Sequence, residues 1–318
     1  MKTIEELKNS IVDINYIIEN MIRENGLYCL LGEAKVGKSA LALQIANSVC
    51  NGIPFLNLKT NKTAVLYLST EMNPSETISR INFMECNLKE NNFLYTFPED
   101  NMTQISILKV EKEISEFKEK FDGKLVFIDM FNGINFGSYY DLNNYQDMSQ
   151  KIFPQLRKLC NNYKVTIIIV HHLNRKGKSL GSTAIDTCVD GKLALKQDEN
   201  IKSTFYLSYE SRDYESIDLV LKRNKDLTFE VSETDSNDLN LNLIIFLNYA
   251  IKQKEFSFKS SEIVGELKLS ILPSVFGKLL KQNLDNLEKE GLHIESKRTG
   301  PDRLYHAKYE EPVFEDLE

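Results

Sequence analysis

Short apolar runs alternate with stretches of helical spacing along the first two thirds of the chain. Four runs carry apolar residues at successive positions, and they cover residues 27–31, 64–70, 124–129 and 165–170. Strands that are apolar on both faces belong in the middle of a parallel sheet that helices cover on both sides. The pattern therefore predicts an open α/β domain with a mostly parallel sheet.

Apolar residues at helical spacing predict helices between these strands. The predicted helices cover residues 40–49, 74–84, 111–121 and 144–163. Asn73 precedes the second of them and is a suitable helix cap. Residues 1–25 are predicted to form a polar helix, and residues 93–97 and 204–209 to form further short strands.

A change in composition divides the chain. Residues 232–239 are rich in Ser, Asp and Asn. They are predicted to be a linker between a domain of residues 1–231 and a second domain of residues 240–308. Residues 309–318 form an acidic tail.

The second domain shows three helical stretches, at about residues 239–252, 260–267 and 272–290, before two strands that flank a turn. Three helices followed by a β-hairpin resemble a winged helix-turn-helix domain. The residues expected to close its core are Leu284, Leu287 and Leu292. Its basic excess is modest, so DNA binding and a protein-docking or ring-stabilising role both stay open.

The composition bears on the class of protein. The 318 residues are 42% hydrophobic and 27% charged, and no apolar run is long enough to cross a bilayer. The first residues lack the apolar segment of an export signal, so a cytoplasmic protein is expected. Five scattered cysteines argue against a disulfide framework or a zinc site. The net charge of −7 means that any contact with DNA must be local.

One segment has a specific chemical signature. Residues 32–39 read Gly-Glu-Ala-Lys-Val-Gly-Lys-Ser, the Walker A pattern, between a predicted strand and a predicted helix. The glycines let backbone N–H groups surround a phosphate, Lys38 reaches the outer phosphates, and Ser39 ligates Mg²⁺. We therefore expect ATP and Mg²⁺ as ligands. The residues expected to line the nucleotide site are Gly32, Glu33, Ala34, Lys35, Val36, Gly37, Lys38, Ser39 and Ala40.

Carboxylates and imidazoles follow the predicted strands, at the edge where ligands of open α/β sheets bind. Asp129 ends a buried strand and is expected to hold Mg²⁺, or else to cap the next segment. Met130 follows it, where many ATPases have a Glu that polarises the attacking water, so the base must come from elsewhere. Glu71 is the expected base, with a solvated turn acid as the alternative. His172, after His171, is expected to sense the γ-phosphate or to be a polar turn residue.

The order of these motifs resembles the RecA-like ATPases of the plasmid RepA hexameric helicase group, over roughly residues 15–232. The motifs are the Walker A segment, the strands followed by Glu71, Asp129 and His172, and the Glu-Ser-Arg-Asp segment of residues 210–213. The resemblance implies a RecA-like P-loop fold and five catalytic residues, Lys38, Glu71, Asp129, His172 and Arg212. Arg212 would be an arginine finger for the neighbouring subunit's nucleotide, with a surface ion pair as the alternative. The paired histidines stand where ring helicases of the DnaB type usually carry Gln.

Basic and aromatic residues form three sets that are expected to contact DNA. The basic ones are Arg175, Lys176 and Lys178 in a glycine-containing loop after His172, and Lys297, Arg298 and Arg303 on the second domain's hairpin. RecA-like rings present the first loop to their central channel, although an ordinary mobile surface loop is equally consistent with the sequence. Phe136, Tyr139 and Tyr140 are expected to stack on bases or to pack under their own loop.

Taken together, these features predict a Mg²⁺-dependent ATPase that acts on DNA. The specific expectation is a ring-forming replicative DNA helicase of a plasmid, phage or other mobile element. Its expected partners are single-stranded DNA and further copies of the chain in a homo-oligomer, a hexamer. The alternative is a nucleotide-gated DNA-binding or helicase-loading ATPase that does not unwind. A small-molecule P-loop kinase is disfavoured, because such an enzyme has no need for a winged helix.

Overall fold

The computed structural model divides into two compact units, residues 1–232 and residues 233–318. It describes residues 3, 15–98, 104–137, 140–172, 184–198, 202–212, 216–232, 241–267, 269, 273–299 and 302–311. Within these described residues, no helix is both long enough and apolar enough to span a membrane.

The first unit is built around a nine-stranded sheet. Its strands, in spatial order, are β13 (Phe229–Val231), β12 (Ile217–Arg223), β11 (Thr204–Ser211), β10 (Gly191–Gln197), β3 (Leu27–Gly32), β9 (Thr166–His172), β7 (Leu125–Asp129), β4 (Val65–Ser69) and β5 (Phe93–Thr96). The strands from β10 to β5 pair in parallel, whereas β10 to β13 pair antiparallel. Every residue of β3, β4 and β7 is buried, which confirms the predicted apolar central strands.

Helices cover both faces of this sheet. They are α1 (Lys38–Asn51), α2 (Pro74–Phe83), α3 (Ile107–Phe121), α4 (Tyr145–Asp147), α5 (Phe153–Tyr163) and α6 (Ala184–Cys188). α1 packs into the core on one face, whereas α3 and α5 pack into the core on the other. Asn73 caps α2 and forms a reciprocal capping box with Glu76, so the predicted cap is confirmed. α3 starts at Ile107, before the predicted residue 111, because Ser106 caps it.

Two short strand pairs flank this architecture. β1 (Tyr16–Ile18) pairs antiparallel with β2 (Ile22–Arg23), so the predicted helix over residues 1–25 is wrong for the described part of that segment. Asn20 adopts a φ of 56°, a left-handed conformation that reverses the chain between the two strands. β6 (Ile105–Ser106) pairs in parallel with β8 (Ile134–Asn135).

The predicted helix over residues 144–163 is interrupted. α4 is a single turn capped by Asn144, a π-helical segment follows at Met148–Ile152, and only then does α5 begin. Pro154 accounts for the interruption, because it has no N–H to donate to the carbonyl four residues earlier.

The second unit combines short helices with a small sheet. Its elements are α7 (Leu241–Gln253), β14 (Glu255–Lys259), α8 (Ser260–Glu266), α9 (Pro273–Gln282), α10 (Leu284–Lys289), β15 (Leu292–Thr299) and β16 (Asp302–Tyr309). The three strands pair antiparallel in the order β14-β16-β15. The rings of Phe258 and Phe276 pack on Phe246 at the centre of the unit.

Three details of this unit differ from the sequence prediction. The predicted helix over residues 272–290 is two helices, because Asn283 leaves the helical conformation and its side chain donates to the Leu279 carbonyl. Leu287 and Leu292 are buried as predicted, but Leu284 is 37% exposed at the start of α10. The strand β14 was not predicted.

The hairpin residues expected to bind DNA do not share one face. Arg298 is the register partner of Arg303, whereas Lys297 pairs with Leu304. Because successive residues of a strand point to opposite faces, Lys297 lies on the opposite face of the sheet from Arg303.

Candidate functional site

The loop between β3 and α1 has the backbone geometry of a phosphate-binding loop. Gly37 adopts a φ of 109°, which side chains rarely tolerate. A Cβ atom on Gly32 would lie 2.7 Å from the Leu195 carbonyl oxygen, so that position has no room for a side chain. Both glycines are therefore required by the local structure, and α1 begins at Lys38, directly after Gly37.

Lys38 is the centre of polar contacts at this loop. Its side chain is only 4% exposed, and its Nζ donates to the carbonyl oxygens of Gly32 at 3.0 Å and Glu33 at 2.7 Å. Nζ also lies 3.0 Å from Nδ1 of His172. An ammonium has no lone pair, so Nδ1 must accept this bond and the imidazole proton belongs on Nε2. Burial lowers the pKa of Lys38, although the charges of Asp129, Glu71 and Glu33 oppose that shift.

Asp129 ends β7 as a buried carboxylate, 2% exposed. The Tyr67 hydroxyl donates to its Oδ2 at 2.5 Å, while Oδ1 is buried and has no hydrogen-bond partner among the described residues. Burial raises the pKa of this carboxyl, and the hydrogen bonds from Tyr67 and Ser39 oppose the rise. A buried carboxylate oxygen without a partner, next to a serine hydroxyl, is the kind of oxygen ligand that Mg²⁺ takes, so these residues fit the ion.

Glu71 and His172 extend the polar contacts from the loop to solvent. Nε2 of His172 lies 3.5 Å from Oε1 of Glu71, whose side chain is 52% exposed. A continuous chain of contacts thus runs from Lys38 through His172 to Glu71. Met130 is 1% exposed and apolar, so it supplies no base beside Asp129.

The two adjacent histidines have different surroundings. His171 is buried, and its ring packs in a T-shaped contact with Phe131 at 5.6 Å between centroids. His172 is the one that contacts the loop lysine. The alternation of side chains along β9 explains the difference, and the role of His172 as a sensor stays a prediction.

Arg212 lies at the opposite edge of the sheet from Lys38. β11 runs antiparallel to β10, so its end is level with the start of β3. There the Arg212 guanidinium donates to the Thr187 carbonyl oxygen, and its backbone N–H donates to the Asp190 carbonyl at 3.2 Å. β3 rises about 16 Å over its length, at about 3.3 Å per residue. Arg212 therefore does not reach the phosphate loop of its own chain.

The residues expected to contact DNA near this site are only partly described. Arg175, Lys176, Lys178 and Tyr139 lie outside the described residues. Phe136 is 8% exposed and packs against Phe131, so it belongs to the core of its loop. Tyr140 is exposed, with the Lys151 ammonium 5.4 Å from its ring centroid.

Two residues of the site were not predicted. Tyr67 looks like any apolar strand residue in the sequence, and only its place beside β7 reveals the bond to Asp129. Arg223 ends β12 at the same edge as the loop, where its Cζ would be 3.8 Å from a Cβ atom on Gly37. Its guanidinium lies near the Phe229 ring, and its buried Nε has no partner among the described residues. Burial lowers the pKa of Arg223, and the charge of Arg80 lowers it further.

Comparison with known proteins identifies the family and supports the fold. Residues 2–178, more than half of the chain, match the family AAA_25, described as an AAA domain. Among solved structures, one described as an ATPase domain superposes with a TM-score of 0.56 at 16% identity, covering 72% of this chain and 95% of that one. A DnaB-like replicative helicase, reported with its interactions with primase, has the same TM-score and identity and covers 72% of this chain and 65% of that one. No match to the sequence is found among curated proteins.

The two solved structures agree with the mostly parallel, helix-covered sheet of the first unit. At this identity the likeness concerns the fold, and the family match supplies the membership. The first unit is a RecA-like P-loop ATP hydrolase, and the chain belongs to the AAA domain family AAA_25.

Proposed function

We propose that this ATPase forms a ring on DNA and is the replicative DNA helicase of a plasmid, phage or other mobile element. The observation that carries the proposal is the chain of contacts from Lys38 through His172 to Glu71. His172 is the last residue of β9, and the basic residues Arg175, Lys176 and Lys178 follow it in sequence. A motor needs such a link, because a change at the phosphates must alter its hold on DNA.

Each member of the contact chain has a proposed part in ATP hydrolysis. Lys38 binds the outer phosphates, and in doing so it exchanges His172 Nδ1 for phosphate oxygens. Glu71, half in solvent, orients the attacking water and accepts its proton. Mg²⁺, held by Ser39 and Asp129, would offset the negative charge of the phosphates.

The other residues that the sequence suggested are proposed to act in the ring, either between subunits or on DNA. Arg212 is proposed to act on the nucleotide of a neighbouring subunit, because it lies too far from the phosphate loop of its own chain. Arg175, Lys176 and Lys178 are proposed to hold single-stranded DNA in a hexamer's channel. Residues 240–308 are proposed to be a winged-helix domain, joined through the linker of residues 232–239.

A forked DNA duplex with a labelled strand tests the proposal. We expect strand displacement with Mg²⁺ and ATP, and none with a Lys38→Ala protein, which lacks the charge on the outer phosphates. Lys112→Ala is the matched control, because Lys112 is a lysine on α3 with a side chain that is 73% exposed, away from the phosphate loop. Mass measurement with a nucleotide analogue should show a ring.

The alternative function predicts a different result from the same assay. A nucleotide-gated DNA-binding or helicase-loading ATPase would hydrolyse ATP and bind the fork while the strands stay paired. That outcome, with a ring present by mass, would overturn the helicase proposal and leave the ATP hydrolase assignment intact.

A further inference from the structure

A groove of about 560 Å³ lies entirely within the second unit, between α8, α9 and the β15–β16 hairpin. Three cationic residues of the lining are Lys278 and Lys281 on α9 and Arg303 on β16, and the end of β14 at Lys259 borders the groove. Serine hydroxyls from both helices and from β15 lie among them, and no carboxylate is part of the described lining. The groove therefore presents hydrogen-bond donors and positive charge with no negative charge between them.

The cations on α9 and β16 have no carboxylate partner among the described residues. In the described part of the chain, Lys278, Lys281 and Arg303 form no ion pair with a carboxylate, and the Arg303 guanidinium is instead held by the Ser296 hydroxyl at 2.8 Å. The other face of the hairpin is different. There His306 lies 3.2 Å from a Glu255 carboxylate oxygen, and Lys308 lies 2.6 Å from Glu310. Positive potential is thus concentrated on the groove side.

The arrangement of the cations fits a row of phosphates. Lys278 and Lys281 are three positions apart on α9, so they lie one above the other on the same side of that helix. Arg303 faces them from β16, with its fork fixed by a hydroxyl. Arginine and lysine on two facing elements can contact successive phosphates of a backbone that runs between them.

The lining residues also favour double-stranded over single-stranded DNA as the ligand. Proteins that hold single strands rely on exposed aromatic rings on which bases stack. Tyr305 is the aromatic residue of the described lining, and it is 8% exposed, at the floor of the groove. Its hydroxyl would be 3.1 Å from a Cβ atom on Gly277, so α9 packs too closely over the ring for a base to enter.

We propose that this groove binds the phosphodiester backbone of double-stranded DNA. The inference rests on the proposed function for the presence of DNA, and it assigns the duplex to the second unit while the ATPase unit handles the single strand. Recognition by backbone contacts alone gives binding that is strongly salt-dependent and insensitive to base sequence.

Binding of the full chain to a short labelled duplex, followed by fluorescence anisotropy at about 50 to 200 mM salt, tests the inference. We expect Lys278→Ala/Lys281→Ala to bind at least about tenfold more weakly and to lower the slope of log K against log salt by about 2, since each phosphate contact contributes roughly 0.9. Lys252→Ala/Lys308→Ala removes the same charge from exposed positions of the second unit that do not line the groove, and it should bind as the wild type does.

A second variant guards against misfolding. Ser274→Glu places a carboxylate in the groove near the start of α9, where an acid favours the helix, so the fold is kept while duplex binding falls. The inference is overturned if the groove and control double variants lose equal affinity, or if the salt slope does not change. It is also overturned if the wild type binds a single strand more tightly than the duplex and the groove variants weaken that binding. If the wild type binds the duplex through the groove yet displaces no strand from a fork, the helicase proposal fails and the groove assignment stands.

Discussion

At the scale of single residues, burial shifts the two charged groups of the phosphate site in opposite directions. It lowers the pKa of the Lys38 ammonium and raises that of the Asp129 carboxyl. Glu71, two positions beyond its buried strand, keeps half of its side chain in solvent. The groups that would bind phosphate and metal are therefore buried, whereas the side chain of the proposed base is half exposed to solvent.

Glu71→Gln should bind nucleotide within about twofold of the wild type and lose at least about 100-fold in ATP turnover, because the amide keeps the shape of the side chain and loses its basicity. Glu90→Gln, an exposed carboxylate elsewhere on the unit, is the control and should hydrolyse normally. A fluorescent nucleotide and a phosphate-release assay measure the two quantities. Wild-type turnover in Glu71→Gln would show that the base lies elsewhere.

Asp129→Asn should stabilise the fold while it abolishes Mg²⁺-dependent hydrolysis. The folded pKa of Asp129 is above its unfolded value, so the wild type loses stability as the pH rises through the folded pKa. Asn keeps an oxygen for the Tyr67 hydroxyl and carries no charge. In chelator, we expect the thermal midpoint to rise by about 2–4 °C, the effect of roughly 1 kcal/mol, and to rise more at alkaline than at acidic pH. A midpoint at or below that of the wild type at both pH values would contradict this account.

Arg223→Ala should weaken nucleotide binding by the same subunit. The guanidinium lies beside Gly37 at the N-terminus of α1, and loss of a charge-assisted hydrogen bond of about 1.5–3 kcal/mol corresponds to about tenfold or more in Kd. Titration with fluorescent nucleotide at a protein concentration below that of assembly excludes effects from neighbours. Arg212→Ala is the control, because its side chain lies at the other edge of the sheet. Equal affinities for the two variants would remove Arg223 from the nucleotide site.

At the scale of elements, the sequence pattern predicts what local periodicity and motif spacing determine. Apolar runs predict the central strands. A capping residue type predicts the helix after Asn73, and the Walker A pattern predicts the loop before Lys38. The turn at Asn20 and the break at Pro154 depend on single residues within otherwise helical patterns, so periodicity misplaces them. The sequence places Asp129, Glu71 and His172 at one edge of the sheet, but it does not predict individual contacts between strands. The bond from Tyr67 to Asp129 is the clearest case, since it exists only because β4 and β7 are neighbours.

Three elements meet at Asp190, at the opposite edge of the sheet from the loop. Its carboxylate accepts from the Leu27 backbone N–H at 2.8 Å and from Nη1 and Nη2 of Arg157 on α5, and it lies 3.5 Å from Arg23 on β2. Burial alone would raise the pKa of Asp190, but the bonds from Arg157 and Leu27 and the charge of Arg23 hold it below its usual value. This cluster fixes the start of β3 and so the position of the loop at its other end.

Asp190→Asn should destabilise the fold by about 3 kcal/mol, because it leaves two arginines without their buried partner. Asp122→Asn is the matched control and should cost at most about 1 kcal/mol, since the Asp122 side chain that pairs with Lys118 is 86% exposed. Urea unfolding measures both. The wild-type contribution of Asp190 is present above its unfolded pKa and is lost as the pH falls through its lower folded pKa, so the deficit of Asp190→Asn should shrink in acid. A deficit that is constant with pH would show that packing, not charge, is responsible.

At the scale of the whole molecule, the proposed ring predicts that two inactive variants recover activity when they are mixed. If Arg212 acts on a neighbour's nucleotide, Arg212→Ala should bind ATP normally and hydrolyse it poorly. Mixing it with Lys38→Ala protein should restore part of the ATPase activity, because some interfaces then join an intact loop to an intact finger. Mixed assemblies that form by mass and show no recovery at any ratio would argue against a finger at this position.

The position of β3 at the centre of the sheet also has a consequence for biosynthesis. Leu27 pairs with Ile167, and Tyr28 pairs with Gly191, so both neighbours of this apolar strand lie at least 140 positions later in the chain. At about 5–20 residues per second, a ribosome needs roughly 10–30 s to supply them. During that interval the strand has no partner, and contacts at such separation form slowly. We therefore expect chaperones to shield the emerging protein until β10 has left the ribosome.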